Sequence, residues 1–174
     1  FAMPFHQPQS RTEIDATHVA SFQKSWGQYL ACDDETKAKI RMVGHRLNQG
    51  RARQFLADKA ADLGVILESI FLPSGTRSGL TRGISNNASK YLSNDALEGP
   101  KIENEMKAIY GLRSLAVHTG ILDWQLPKEV HQDVRRDFQD TASLLDRAYE
   151  LASESLEKIL ESRSWPRWST RWSN

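Results

Sequence analysis

The run Tyr110-Gly111-Leu112-Arg113-Ser114-Leu115-Ala116-Val117-His118 places an arginine and a histidine five positions apart. Arginine carries a permanent, forked set of N–H donors that grips phosphate oxygens in two places. Histidine is the one side chain that takes up and releases a proton near neutral pH. Together these groups match the needs of RNA cleavage, because the ribose 2′-hydroxyl is a nucleophile already present in the substrate. It needs a base, an acid for the leaving oxygen, and positive charge on the phosphorane. On an α-helix, five steps turn about 140° and rise about 7.5 Å, so one Arg and one His do not share a face. A two-fold dimer that juxtaposes two such helices would gather two Arg and two His around one cleft. Bland readings exist for both residues. The helix macrodipole favours a histidine near a C-terminus whatever its function, and an arginine can simply pair with an acid.

Other chemistries find little support. His6, His18, His45, His118 and His131 are scattered, and none has a Cys, Asp or Glu partner at metal-ligand spacing, so neither a metal nor another cofactor is expected. The loop Pro73 to Gly79 has two glycines but no following Lys-Ser/Thr, which argues against a phosphate cradle. Glu68 interrupts the apolar run Leu63 to Leu72. A carboxylate there is expected to be mostly buried and to require a cation, with Arg113 or Arg82 as partner. The tail holds Trp165, Trp168 and Trp172 between Arg163, Arg167 and Arg171, a composition suited to stacking RNA bases or, the preferred reading, to packing against an apolar face.

The elements that must position these residues all read as helices, because apolar residues recur at spacings of three and four and strand-type alternation is missing. The spacing predicts a first helix from about Thr12 to Leu30 on Ile14, Val19, Phe22, Trp26 and Leu30. A second, capped by Asp33 or Asp34, carries Ile40, Val43 and Leu47 and stops near Asn48-Gln49-Gly50. The third runs from about Arg51 to Leu72. Its second half is apolar almost all round and is therefore central. A fourth helix reaches about Leu92, and 93–100 forms a break. The fifth carries Ile102 to Leu115 and ends at Thr119-Gly120, and a long sixth spans about Lys128 to Ser162. The fold class expected is all-α, a bundle of about six helices.

The chain has 174 residues, 23 Lys and Arg against 22 Asp and Glu, and a net charge of +1. Near-neutrality argues against coating duplex DNA through a broad basic face, but leaves room for a site that handles a few phosphates. No apolar run approaches the roughly 20 residues that span a bilayer, so no membrane contact is expected. A single cysteine, Cys32, allows no intrachain disulfide and fits a reducing, cytoplasmic setting. The first residue is Phe1 and not Met, which leaves room for a further domain upstream.

The run ending in His118 resembles the RxxxxH region of HEPN domains (higher eukaryotes and prokaryotes nucleotide-binding), in particular the Apea-like HEPN subgroup of abortive-infection proteins. There, a Tyr-x-x-Arg-Ser-x-x-x-His-Gly type of run ends a helix. Tyr110, Arg113, Ser114 and His118 fit it, with Thr119 inserted before Gly120, and Ile66-Leu67-Glu68-Ser69-Ile70-Phe71 is similar to that family's Leu-Glu-Ser/Ala-Leu helix. The likeness covers about 40–163, taken as a HEPN-like domain between an N-terminal helical extension (1–39) and the Trp/Arg-rich tail (164–174). It implies a metal-independent endoribonuclease of phage defence or of a toxin system, with RNA as substrate and a homodimeric composite site. Arg113 and His118 would be catalytic, and Ser114, Tyr110 and Glu68 supporting. The alternative is a non-catalytic HEPN module that binds RNA or nucleotide or only mediates dimerisation. A third reading places the activity in another part of a longer protein.

Overall fold

The computed structural model describes residues 15–169, which form seven α-helices and no strand. They are α1 (Ala16–Leu30), α2 (Asp34–Arg51), α3 (Leu56–Phe71), α4 (Leu80–Leu92), α5 (Glu98–Thr119), α6 (Gln132–Asp137) and α7 (Thr141–Ser162). The all-α bundle expected from the apolar spacing is what forms.

The apolar half of α3 is its centre. Leu63, Ile66, Leu67, Ile70 and Phe71 are fully buried, and α3 touches α2, α4, α5 and α7. A helix that is apolar all round has to be enclosed in this way, because any face left in water would forfeit its burial. α5 packs on α4 and α3, contributing Ile102, Met106, Ile109 and Leu112 to the same core. Two buried carboxylates are held by arginines from other segments: Asp62 of α3 by Arg46 and Arg53 at 3.1 and 3.0 Å, and Glu105 of α5 by Arg147 of α7 at 3.4 Å.

The helix ends follow their local chemistry, and several differ from expectation: α3, for one, starts at Leu56 and not near Arg51, which still belongs to α2. Asp33 caps α2 as expected, accepting from the Thr36 amide at 2.6 Å. That helix, however, runs through Gly50 to Arg51. Gly50 is not a stop but a notch: a Cβ there would collide with the Tyr149 hydroxyl and lie 3.1 Å from the ring carbon that bears it. α5 begins at Glu98, inside the break expected at 93–100, and takes Pro100 into its first turn, where the missing N–H has no intrahelical partner to lose. The single long sixth helix is two helices. Phe138 is extended (φ −123°, ψ 130°), and Asp140 restarts the chain with a reciprocal cap, its carboxylate accepting from the Ser143 amide at 2.7 Å. Residues 128–131 are not helical but precede α6 in a turn closed by Val130 N–H to Pro127 C=O.

The Trp/Arg tail docks where it is described. Trp165 and Trp168 donate their indole N–H groups to the carbonyls of Ser69 and Ile70 at 3.2 and 2.7 Å, covering the end of α3. Arg171 and Trp172 lie outside the described residues, as do Thr12, Ile14 and His6. The first helix is a different matter. Its expected stripe is present, but α1 buries nothing: Phe22 is 67% exposed and Trp26 50%, the two stacked with Tyr29 in a ladder along the surface. No described helix is long and apolar enough to cross a membrane.

This asymmetry is measurable by chemical denaturation. Ile66→Ala, which removes buried methyl groups from the centre of α3, is expected to cost about 2–5 kcal/mol. Leu30→Ala on the open face of α1 should change stability by less than about 0.5 kcal/mol. A loss for Leu30→Ala above about 1 kcal/mol would show that the α1 face is covered in solution.

Candidate functional site

Gly64 and Glu68 lie one turn apart on α3, and Tyr110 and Arg113 lie one turn apart on α5, so each pair presents a single stripe where the two helices meet. The Arg113 side chain crosses α3 at Gly64. A Cβ at that glycine would collide with Arg113 Cγ and stand 2.7 Å from its Nε. Past the notch, Arg113 Nη2 reaches Glu68 Oε1 at 3.0 Å, and the same oxygen accepts the Tyr110 hydroxyl at 2.7 Å. The guanidinium also lies over the Tyr110 ring, 5.3 Å from its centroid. One carboxylate oxygen thus orients two groups of α5.

Arg113 is the cation that pairs with Glu68, while Arg82, the other one considered, is exposed. Glu68 is mostly but not fully buried: its side chain is 31% exposed where it lines an open groove of about 430 Å³ between α2, α3 and the loop after Pro73. Arg113 is 25% exposed, yet its Nε is buried without a hydrogen-bond partner, which is the polar cost of threading the side chain past Gly64. Burial and then the bond to Glu68 push the Tyr110 hydroxyl well above its usual range, so it stays protonated and acts as a donor.

His118 sits in the last turn of α5, just before Gly120, whose left-handed backbone (φ 71°) ends the helix as expected. It is exposed. Because α5 is continuous from Glu98 to Thr119, Arg113 and His118 point about 140° apart, and one chain does not bring them together. Ser114 is half-buried between them in angle. Near His118 in the chain, Leu115, Val117, Ile121 and Trp124 are all exposed apolar residues. Among the described residues, no group of three or more His, Cys, Asp or Glu is placed to hold a metal ion.

The site residues named from sequence therefore divide. Glu68, Tyr110 and Arg113 form one cluster, and His118 stands apart with Ser114 between. The residue missed was Gly64. Its signal was a glycine inside an apolar helix one turn before a lone carboxylate, a pattern that marks a close approach. The chain matches no family model, no curated protein and no solved structure.

In the middle of an exposed helix, Gly→Ala is stabilising by about 1 kcal/mol. At position 64 the sign should reverse. Gly64→Ala forces Arg113 out of its slot, and overpacking of this kind costs about 1–3 kcal/mol. Thermal denaturation checks it: a Tm equal to or above that of the parent would show that the Arg113 path is not held as described.

Proposed function

We propose that the chain is a metal-independent endoribonuclease of HEPN type that acts as a homodimer in phage defence or a toxin system of the cytoplasm. The observation that carries this reading is the arrangement on α5. Arg113 is held in one orientation by Glu68 and Tyr110, and an exposed histidine follows five residues later at the helix end. An arginine anchored through one terminal nitrogen and one ring face is preorganised, so it meets a phosphate without first losing side-chain freedom. The exposed apolar residues Leu115, Val117, Ile121 and Trp124, near His118 in the chain, support a two-fold contact there.

In this reading, His118 of one copy takes the proton of a ribose 2′-hydroxyl, and the 2′-oxygen attacks the adjacent phosphorus. The bond from phosphorus to the 5′-oxygen breaks, and that oxygen takes a proton from His118 of the second copy. The products are a 2′,3′-cyclic phosphate, or its 3′-phosphate after hydrolysis, and a 5′-hydroxyl. Arg113 meets the charge that builds on the phosphorane, and Ser114 lies close enough in angle to contact the same phosphate. Tyr110 and Glu68 act through Arg113.

A second reading has its own support. The Glu68 carboxylate neutralises Arg113 in the resting chain. A neutralised arginine fits a non-catalytic module that binds RNA or nucleotide, or mediates dimerisation, as well as it fits a nuclease awaiting its substrate.

The two separate in one experiment on labelled RNA. A nuclease should cut in the presence of EDTA. His118→Ala should lose about 10²–10⁴-fold in rate through the missing proton transfer while keeping its Tm, its oligomeric state and its RNA binding. If wild type binds RNA and cuts none, or if His118→Ala cuts as well as wild type, the non-catalytic reading stands. Activity lost in EDTA and restored by Mg²⁺ would overturn the mechanism.

A further inference from the structure

A groove of about 500 Å³ runs beside α5. Lys107, Gly111 and His118 fall at intervals of four and seven residues, so they lie on one stripe of the helix. The groove opens over Gly111 and is walled by Leu112, Leu115, Pro127 and Val130. We propose that it binds the nucleobase of a nucleotide flanking the scissile phosphate, which would make it the element that selects among RNA sequences. This rests on the ribonuclease reading for its context but not for its test.

Three features point to a flat, uncharged, heteroaromatic occupant. First, the walls are mostly apolar, and the charged groups of the lining are matched, Lys107 against Glu129 and His131 beside Asp133 at 3.5 Å. Lys107 is already engaged with Glu103 at 2.6 Å. The lining therefore does not attract a phosphate, while it excludes water from a ring. Second, Gly111 leaves a stretch of bare helix: a Cβ added there meets nothing within 4 Å, so the groove has a smooth floor against which a ring can lie. Asn104 at one end offers both a donor and an acceptor, which suits the edge of a base. Third, a smaller cavity of about 220 Å³ shares Leu112, Leu115 and Pro127 with the groove and is lined by Thr141. The Thr141 hydroxyl is buried with no hydrogen-bond partner. An orphaned buried hydroxyl is rare and marks a position where a ligand's polar atom would be rewarded. Size agrees as well, since small-molecule sites span roughly 300–1,000 Å³. From Gly111 to His118 the helix rises about 10 Å, which sets the base one step away from the reacting phosphate.

The test uses the four ribonucleoside 5′-monophosphates, which have no phosphodiester to cleave, with ribose 5-phosphate as the probe that lacks a base. Affinities of the full chain are measured by isothermal titration calorimetry. At least one monophosphate should bind tenfold or more tightly than ribose 5-phosphate. Gly111→Leu places a side chain in the groove and should abolish that preference with no loss of Tm. Thr141→Val replaces the hydroxyl with a methyl group of similar size and should weaken binding about 3- to 10-fold, the worth of one hydrogen bond. The proposal is overturned if ribose 5-phosphate binds as well as every monophosphate, or if Gly111→Leu binds like wild type. It is also overturned if Gly111→Leu keeps its nucleotide affinity but no longer self-associates, because the groove then belongs to a second copy of the chain. A chain that discriminates among bases yet cuts no RNA retains the groove and loses the ribonuclease reading. A chain that cuts RNA but shows no base preference does the reverse.

Discussion

The Glu68 carboxylate is the point at which the two central helices are coupled. α3 is enclosed over most of its second half, which is apolar almost all round, and an acid on such a helix is costly to bury unless a cation comes to it. Arg113 supplies that cation from α5, but its side chain reaches Glu68 only by crossing α3, and it crosses where Gly64 has no side chain. The notch, the carboxylate and the arginine are therefore one device. Remove the notch and the arginine loses its path; remove the carboxylate and the arginine loses its anchor.

That device has a consequence for electrostatics. The pair is neither fully buried nor fully exposed, at 25% and 31% for its two side chains. Fully buried pairs lose several kcal/mol when one partner goes, and exposed pairs lose little. At intermediate exposure the arginine is held in place yet stays within reach of solvent. Tyr110 steadies this balance. Its hydroxyl satisfies the same Glu68 oxygen.

How much of this the sequence revealed depended on how local each cause was. The bundle was legible because burial of one face imposes a period of three to four residues. The caps at Asp33 and Gly120 were legible because they act through neighbours in the chain. The Glu68–Arg113 pairing was legible as a need, an acid in an apolar run, and the sequence narrowed the partner to two. What escaped was long-range. Gly50 looked like a helix stop because glycine usually is one, and its role as a notch for Tyr149 depends on a residue 99 positions away. The break between α6 and α7 was hidden under an unbroken apolar stripe. Yet Asp140 and Ser143 carried the local sign of a helix start, which the stripe outweighed in the reading. The exposure of α1 was illegible for a deeper reason. Amphipathic spacing reports that a helix has an apolar face, not that the same chain covers it.

A near-neutral chain suits the proposed chemistry. A protein that gains its affinity from phosphates needs many cations and loses grip steeply as salt rises. Here the cation of the motif is already partnered, and the cation of the adjacent groove is partnered too, Lys107 by Glu103. On the proposed reading, binding then draws on apolar contact and on shape, with charge confined to the reacting phosphate. Such a site discriminates by what fits beside the cut rather than by how strongly the backbone is attracted. The pairing of Arg113 with Glu68 helps in that respect, because it withholds the arginine from indiscriminate polyanions. On that reading, Arg113, still anchored by Glu68, meets only a phosphate that the rest of the substrate delivers to that point.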